Sequence, residues 1–403
     1  MPENPPLPLP DKPSIAVLPF TNMSGDPKQE YLSDGITESI ITAVSKIHNL
    51  FVIARNSTFT YKGKAVNIQQ VARELGVQYL LEGSMQRSGD MVRITAQLID
   101  ALSGRHLWTQ KYDRELKDLF AVQDDITMEI LQAMRVKLSE GAQVLRAKRP
   151  KNIESALKAY EAHGYILVFT PEANDMGRKL AEEVIAMEPD WGEGYYILSE
   201  AHMMDVWLGT TKSPKESLDK AIVLAEKAVS LDDSLSQAYA HIGYLYGMKR
   251  EHDKSVAYTE KAVEMDPNGA DARAWLANCL RWASRPGEAL AQYEKAMRLN
   301  PNPPQWYYIN LGSIYTMLGR YEESVSQMKK AIALSPNSVS AYSALIVTYG
   351  AMGKEDEASD AAAKLLRINP KFSAEKYLQT LPYKDDAYPK LAAESFRKAG
   401  LLD

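Results

Sequence analysis

The chain has 403 residues, 45% hydrophobic and 25% charged, with a formal net charge of −5 and a pI near 5.8. That length makes two or three domains, and the acidic balance argues against a general nucleic-acid surface, which is normally basic. A single cysteine, Cys279, excludes an internal disulfide framework, and no apolar run approaches the roughly 18 residues that a membrane-spanning helix needs.

Residues 1–13 hold six prolines and no apolar h-region, so they read as a stiff, extended linker rather than a signal peptide. A linker at the start suggests a preceding segment. Ser14–Phe20 (SIAVLPF) is a short apolar run, as expected of a strand covered on both faces. Thr21–Gln29 is turn chemistry, and Tyr31–Ile47 repeats Ile36, Ile40, Ile41, Val44 and Ile47 at helical spacing. Leu50–Arg55 reads as a second strand. Asn67 is placed to cap a short helix that carries Val71 and Leu75 and stops at Gly76. Tyr79–Arg114 reads as three strands, with turns at Ser88-Gly89-Asp90 and Leu102-Ser103-Gly104 and Val92, Ile94, Ala96 and Leu98 alternating between them. A helical pattern returns from about Leu116 to Leu145 through Val122, Ile126, Ile130, Met134 and Leu138. Residues 14–140 are thus expected to form a βαβαβββα domain. A hinge over 141–154 follows, with the basic cluster Arg146–Lys151 solvated.

The second half carries a ruler. Helix-ending prolines fall at 267, 301, 336 and 370, in steps of 34, 35 and 34 residues, and Asp233 takes the proline's place 34 residues before Pro267. Pro189 lies 44 residues earlier still. A fixed period of this size with one helix breaker per period marks an array of helix pairs. The 44-residue step predicts about ten extra residues between two helices, within Met203–Ser217, with Trp207 and Leu208 in a loop.

Two resemblances follow. Tyr239, Ile242, Gly243, Tyr246 and Ala262, with their counterparts in the next three periods (for example Leu311, Gly312 and Tyr315), resemble the large-and-small pattern of tetratricopeptide repeats. SIAVLPF, SGDPKQEYLSDGITESIITAVSKI and ARELGVQYLLEGSMQRSGDMVRITAQLIDALSGRHLW resemble the TolB N-terminal-like domain. More narrowly, they resemble the version joined to such repeats in bacterial adenylate/guanylate cyclase proteins, whose ends Leu381–Leu402 also resembles. The resemblance implies an α/β TolB-N-like domain followed by an all-α tetratricopeptide-repeat solenoid. About five repeats are expected, 190–234, 235–268, 269–302 and two in 303–370, preceded by 155–189 as a weak first one. A helical cap over 371–403, carrying Tyr377, Leu378, Leu391, Phe396 and Leu401, closes the array. The cyclase segment that the resemblance implies has no counterpart in the sequence.

Catalytic patterns are sparse: no phosphate-loop, HExxH, GxSxG or CxxC motif occurs, and the six histidines form no metal-ligand pair on one helix face. Asp26, Asp34, Asp124 and Asp125 read as caps and turns rather than metal ligands, and Asp34-Gly35 as a structural turn. No catalytic residue, metal or cofactor is expected. The repeat resemblance points instead to a groove lined by the first helix of each pair. By position it holds Tyr196, Glu200, Met203 and Met204, then Tyr244 and Met248, then Asn278, Arg281 and Trp282, then Trp306, Ile309, Ser313 and Met317. Aromatics, methionines and an Arg/Asn pair suit an extended peptide or helix with apolar anchors.

The expected function is a non-enzymatic interaction and regulatory module of a bacterial signalling protein, linked to a cyclase domain that lies outside this sequence. Its partner would be a protein or peptide in the groove, with no nucleic acid and no membrane span. The expected location is the cytoplasm, with the periplasm as the alternative, and a homodimer is an alternative to a monomer. A periplasmic envelope or secretion scaffold and a small-molecule sensor are the rival functions.

Overall fold

The computed structural model describes residues 6–134 and 148–402. The end of the expected helix, which runs to about Leu145, and the start of the expected hinge lie outside the described residues. The chain forms two compact units. The first holds the described residues up to Leu245 with 261–269 and 299–301, and the second holds 246–260, 270–298 and 302–402.

The first unit begins with a mixed sheet. Its strands are β1 (Ser14–Val17), β2 (Thr21–Asn22), β3 (Phe51–Val52), β4 (Tyr79–Ser88), β5 (Met91–Asp100) and β6 (Arg105–Glu115), in the order β3-β1-β4-β5-β6 with β2 pairing β4. β1 is central and parallel to both neighbours, so it is buried on both faces, as its apolar run requires. β4, β5 and β6 form an antiparallel meander, whose two turns use Gly89 and Gly104 at φ of +60° and +71°. Helices α1 (Glu30–Ser45) and α4 (Leu119–Ala133) set Ile36, Ile40 and Val44, and Val122, Ile126 and Ile130, against Ile94 and Leu98 of the sheet. Burying each such side chain is worth about 1.5–3 kcal/mol. Two short helices complete the layer, α2 (Arg55–Phe59) and α3 (Ile68–Leu75), the latter capped by the Asn67 side chain and ended by Gly76 at φ +63°.

Three local expectations need correction. Asp34 and Gly35 lie inside α1 rather than in a turn, because the apolar spacing around them continues unbroken. Asp34 there pairs with Lys62 (2.6 Å). Gly35 is where α1 meets the Tyr160 ring, and a Cβ would stand 2.5 Å from that ring. Asp124 is likewise mid-helix, in an ion pair with Arg149. β2 and α2 appear within stretches read as turn and strand; both are too short for periodicity to reveal.

Twelve helices follow as six pairs: α5 (Ile153–Ile166) with α6 (Pro171–Met187), α7 (Gly192–Leu208) with α8 (Pro214–Leu231), and α9 (Ser236–Met248) with α10 (His252–Met265). Then come α11 (Ala270–Trp282) with α12 (Pro286–Leu299), α13 (Gln305–Met317) with α14 (Tyr321–Leu334), and α15 (Val339–Ala351) with α16 (Glu355–Ile368). Each ruler residue, from Pro189 through Asp233 to Pro370, stands two positions beyond the last helical residue. From α9 on, first helices have 13 residues and second helices 14. The irregular step does not make a long loop. α7 has 17 residues and α8 has 18, so the insertion extends each helix by about one turn and leaves only 209–213 between them. Trp207 and Leu208 close α7, since nothing breaks the helix before Gly209 at φ +67°. Trp207 sets its ring between Phe169 and Tyr244, with centroids at 5.9 and 5.6 Å.

The ruler's turns also carry the α/β domain. Asn268 donates from Nδ2 to the carbonyls of Ser45 (2.9 Å) and Ile47 (3.1 Å) at the end of α1. Ala54 N–H donates to Leu299 O (2.9 Å), Ser57 Oγ to Asn300 Oδ1 (2.6 Å), and Lys46 Nζ to Ser234 O (3.3 Å). Lys151 and Asn152 donate their amides to the Glu188 carboxylate at 2.8 and 2.6 Å. Three successive inter-repeat turns thus hold the α/β domain, and the turn before them holds the start of α5. Two further helices, α17 (Ala374–Thr380) and α18 (Ala387–Lys398), follow the pairs. Tyr377 and Phe396 meet edge to face at 5.4 Å, and Gly350 of α15 lets Ser395 of α18 approach closely. No helix among the described residues is long and apolar enough to cross a membrane.

Candidate functional site

The expected groove residues fall in both units and are best taken by unit. In the first unit, Tyr196 is buried and donates its hydroxyl to Glu200 Oε1 (2.8 Å). Met203 and Met204 are buried, and Tyr244 packs on Trp207. Glu200 also faces His163 Nε2 (3.7 Å) from α5, and His163 Nδ1 faces Glu38 of α1 (3.5 Å), which pairs with Arg55 Nε (3.2 Å). Glu193, one turn before Ile197 on α7, belongs to the same acid cluster. Burial pushes its carboxyl up to about 7, with His163 opposing and Glu200, Glu38 and Asp232 adding to the rise. Burial works against protonation of His163, but Glu38, Glu200 and Glu193 overcome it and raise that imidazole.

Beside this cluster, burial drives His241 down to about 3. Its Nε2 lies 2.9 Å from Ser199 Oγ, whose proton goes to Ala221 O (2.6 Å), so His241 donates from Nε2. It is a neutral packing histidine. Among the described residues no cluster of His, Cys, Asp and Glu has metal-binding geometry. Cys279 is fully buried and its thiol is pushed up to about 12 by that burial, which rules it out as a nucleophile at neutral pH.

In the second unit, Met248, Trp306, Ile309 and Met317 are half-buried, whereas Asn278, Arg281, Trp282 and Ser313 are buried. What covers Arg281 and Trp282 is the chain's own segment between α17 and α18. Arg281 Nη1 donates to Tyr383 Oη, Nη2 reaches Asn310 Oδ1 (3.4 Å), and the guanidinium sits 5.4 Å from the Tyr383 ring centroid and 5.7 Å from that of Trp282. Lys384 N–H donates to Trp282 O (2.8 Å), Arg250 Nη2 donates to Leu381 O (2.9 Å), and Tyr388 stacks on Tyr383 at 4.6 Å and bonds Ser313. Trp306 lies against Tyr307, whose hydroxyl donates to Asp271 (2.6 Å).

Sequence reasoning missed His163, Glu38, Glu193, Tyr383 and Tyr388. The first three come from three separate helices, with Glu38 more than a hundred residues before the other two, which no local spacing connects. For the tyrosines there was a signal: two aromatics in the polar stretch LPYKDDAY, where a solvated loop has no use for them.

Family models for the tetratricopeptide repeat match residues 236–268 and 270–337. The chain carries a tetratricopeptide-repeat array. Residues 11–129, the α/β domain that precedes the array, match the second domain of HilA/YgeH-like transcriptional regulators. Over 242 residues the chain is 45% identical to a putative adenylate cyclase 3 of Rhizobium meliloti (strain 1021), a match covering 58% of this chain and 40% of that protein. The chain therefore spans well under half the length of that curated relative. Solved structures similar to the array include YrrB, a repeat protein with an unusual peptide-binding site (22% identity, 47% of this chain and 93% of that one, TM-score 0.33). The Cut9–Hcn1 hetero-tetramer of the APC/C is another (16% identity, 64% and 51%, TM-score 0.48).

Proposed function

We propose that this chain is the non-catalytic, regulatory part of a bacterial signalling protein, with a repeat array that holds a protein partner and an α/β domain that passes the partner's state to an adenylate or guanylate cyclase domain. The observation that carries this reading is the extended identity to a putative adenylate cyclase across only part of that protein's length. In this reading the cyclase chemistry belongs to the part of the relative that the chain does not match. The fastening of the α/β domain to three inter-repeat turns supports a mechanical role, because a change in the array's curvature moves those turns together. The site residues expected from the sequence remain the proposed contact set, of which Glu200, Tyr244, Met248, Trp306, Ile309 and Met317 are half-buried and the others buried.

The test is a chimera: the matching stretch of the Rhizobium meliloti relative is replaced by this chain, and cyclic AMP formation from ATP is measured. Expected is a cyclase whose output changes at least severalfold when Asn268→Ala loosens the α/β domain from the array. Output that is identical with the chain present, absent or substituted would sink the reading.

A further inference from the structure

The segment Leu381–Asp386 has no regular secondary structure, yet two helix pairs hold it like a bound peptide. Arg250, two residues past the first helix of the α9–α10 pair, takes the Leu381 carbonyl, and the Trp282 carbonyl of the next pair takes the Lys384 amide. Tyr383 is only 4% exposed. The seat beneath it is poorly matched to what it holds. Arg281 is 7% exposed, and among the described residues its neighbours are a phenol, a carboxamide and two rings, with no carboxylate. Its Nε has no hydrogen-bond partner, and neither has Oδ1 of Asn278, 2% exposed and one turn earlier on α11. A buried guanidinium without a counter-charge is costly, and a carboxylate in its place of contact forms a short, charge-assisted, two-pronged pair that a phenol cannot. The cleft along the segment is lined by Arg250, Lys254, Glu251 and Asp253, whose charges balance, so the preference for an acid-bearing entrant rests on Arg281.

We infer that Leu381–Asp386 is a built-in placeholder on this face of the array, and that the partner is an extended acidic peptide that displaces it and sets a carboxylate on Arg281 where Tyr383 now lies. This rests on the reading of the array as an interaction module, and it names the chemistry of that partner. The helices on either side need not move far. α18 stays anchored through Phe396 and the Gly350–Ser395 contact, and neither depends on Tyr383.

The test uses the full chain and two fluorescein-labelled peptides spanning residues 379–387, one of native sequence and one with Tyr383→Glu, read by fluorescence anisotropy. Wild type is expected to bind both at least about tenfold more weakly than a Tyr383→Ala chain, whose own segment no longer fills the seat. That variant is expected to prefer the glutamate peptide by about tenfold, a preference that Arg281→Gln removes. A Tyr383→Ala chain with wild-type circular dichroism that binds neither peptide overturns the proposal, as does a glutamate preference that survives Arg281→Gln. Sedimentation showing wild type dimeric and Tyr383→Ala monomeric would assign the segment to a second copy and also overturn it. Peptide binding that follows the expected pattern while the chimera's cyclase output stays constant would count against the proposed function alone.

Discussion

At the start of the array, α5 and α7 meet α1 and Arg55 of the α/β domain across a cluster of acids and one histidine; at its end, α11 and α13 meet Leu381–Tyr388 across a guanidinium and stacked rings. Both contacts cover helix faces expected to be open, but they are built to different standards. The first is fastened at three turns, mostly through backbone groups, so it is part of the fold. The second hangs on one phenol and a few loop hydrogen bonds between two short helices, so it can come away without unfolding its neighbours. Each cover depends on one helical glycine, and those glycines give the sharpest way to compare them.

A Cβ on Gly350 would lie 2.4 Å from the Ser395 side chain and 2.7 Å from Ser395 Cα, so α18 itself must shift. A Cβ on Gly35 would meet the Tyr160 ring at 2.5 Å, and a ring can turn at less cost than a backbone can move. Gly350→Ala is expected to cost about 3 kcal/mol in urea unfolding and Gly35→Ala about 1–2 kcal/mol, both net of the helix-propensity gain. The reverse order would mean that α18 is the looser of the two elements. Asn268→Ala comes next: it removes the Nδ2 bonds to the Ser45 and Ile47 carbonyls, which keep only the longer bonds from the backbone amides of residue 268 and Leu50 (both 3.3 Å), and is expected to cost about 1–2 kcal/mol. Unchanged stability in that variant would show that the α/β domain does not depend on that turn.

The two covers were unequally legible in the sequence. The ruler placed the end of the second helix of each pair, because a helix breaker acts locally and leaves its mark at the position where it acts. The 44-residue step announced an insertion but not its form, since residues added inside a helical pattern lengthen helices as readily as loops. The inner faces were assigned from the repeat pattern, and that pattern knows nothing of what the rest of the chain lays over them. Asn278 and Arg281 carry the same residue types whether they face solvent or Tyr383. Likewise Gly35 looks like a turn residue until Tyr160, far along the chain, arrives to use its missing side chain.

The smallest expected effect separates the acid cover from the aromatic one by pH. Glu193 holds its proton up to about 7 in the folded chain, while Glu38, Arg55, His163, Tyr196, Glu200 and Asp232 surround it; the raised imidazole of His163 acts in the same direction. A group whose folded value is raised contributes stability that is fully present below its unfolded value and is lost as pH rises through the folded one. His241, pushed down to about 3, has the opposite sign, its contribution fading as pH falls, but it is common to wild type and variant and cancels in their difference. Between about pH 5 and pH 8, wild type is therefore expected to lose on the order of 1–2 kcal/mol relative to Glu193→Gln, after allowance for screening by the neighbouring charges. The measurement is urea unfolding of both proteins across that range. A flat difference would mean that the cluster shares its protons some other way, and that the acid cover is no more sensitive to pH than the aromatic one.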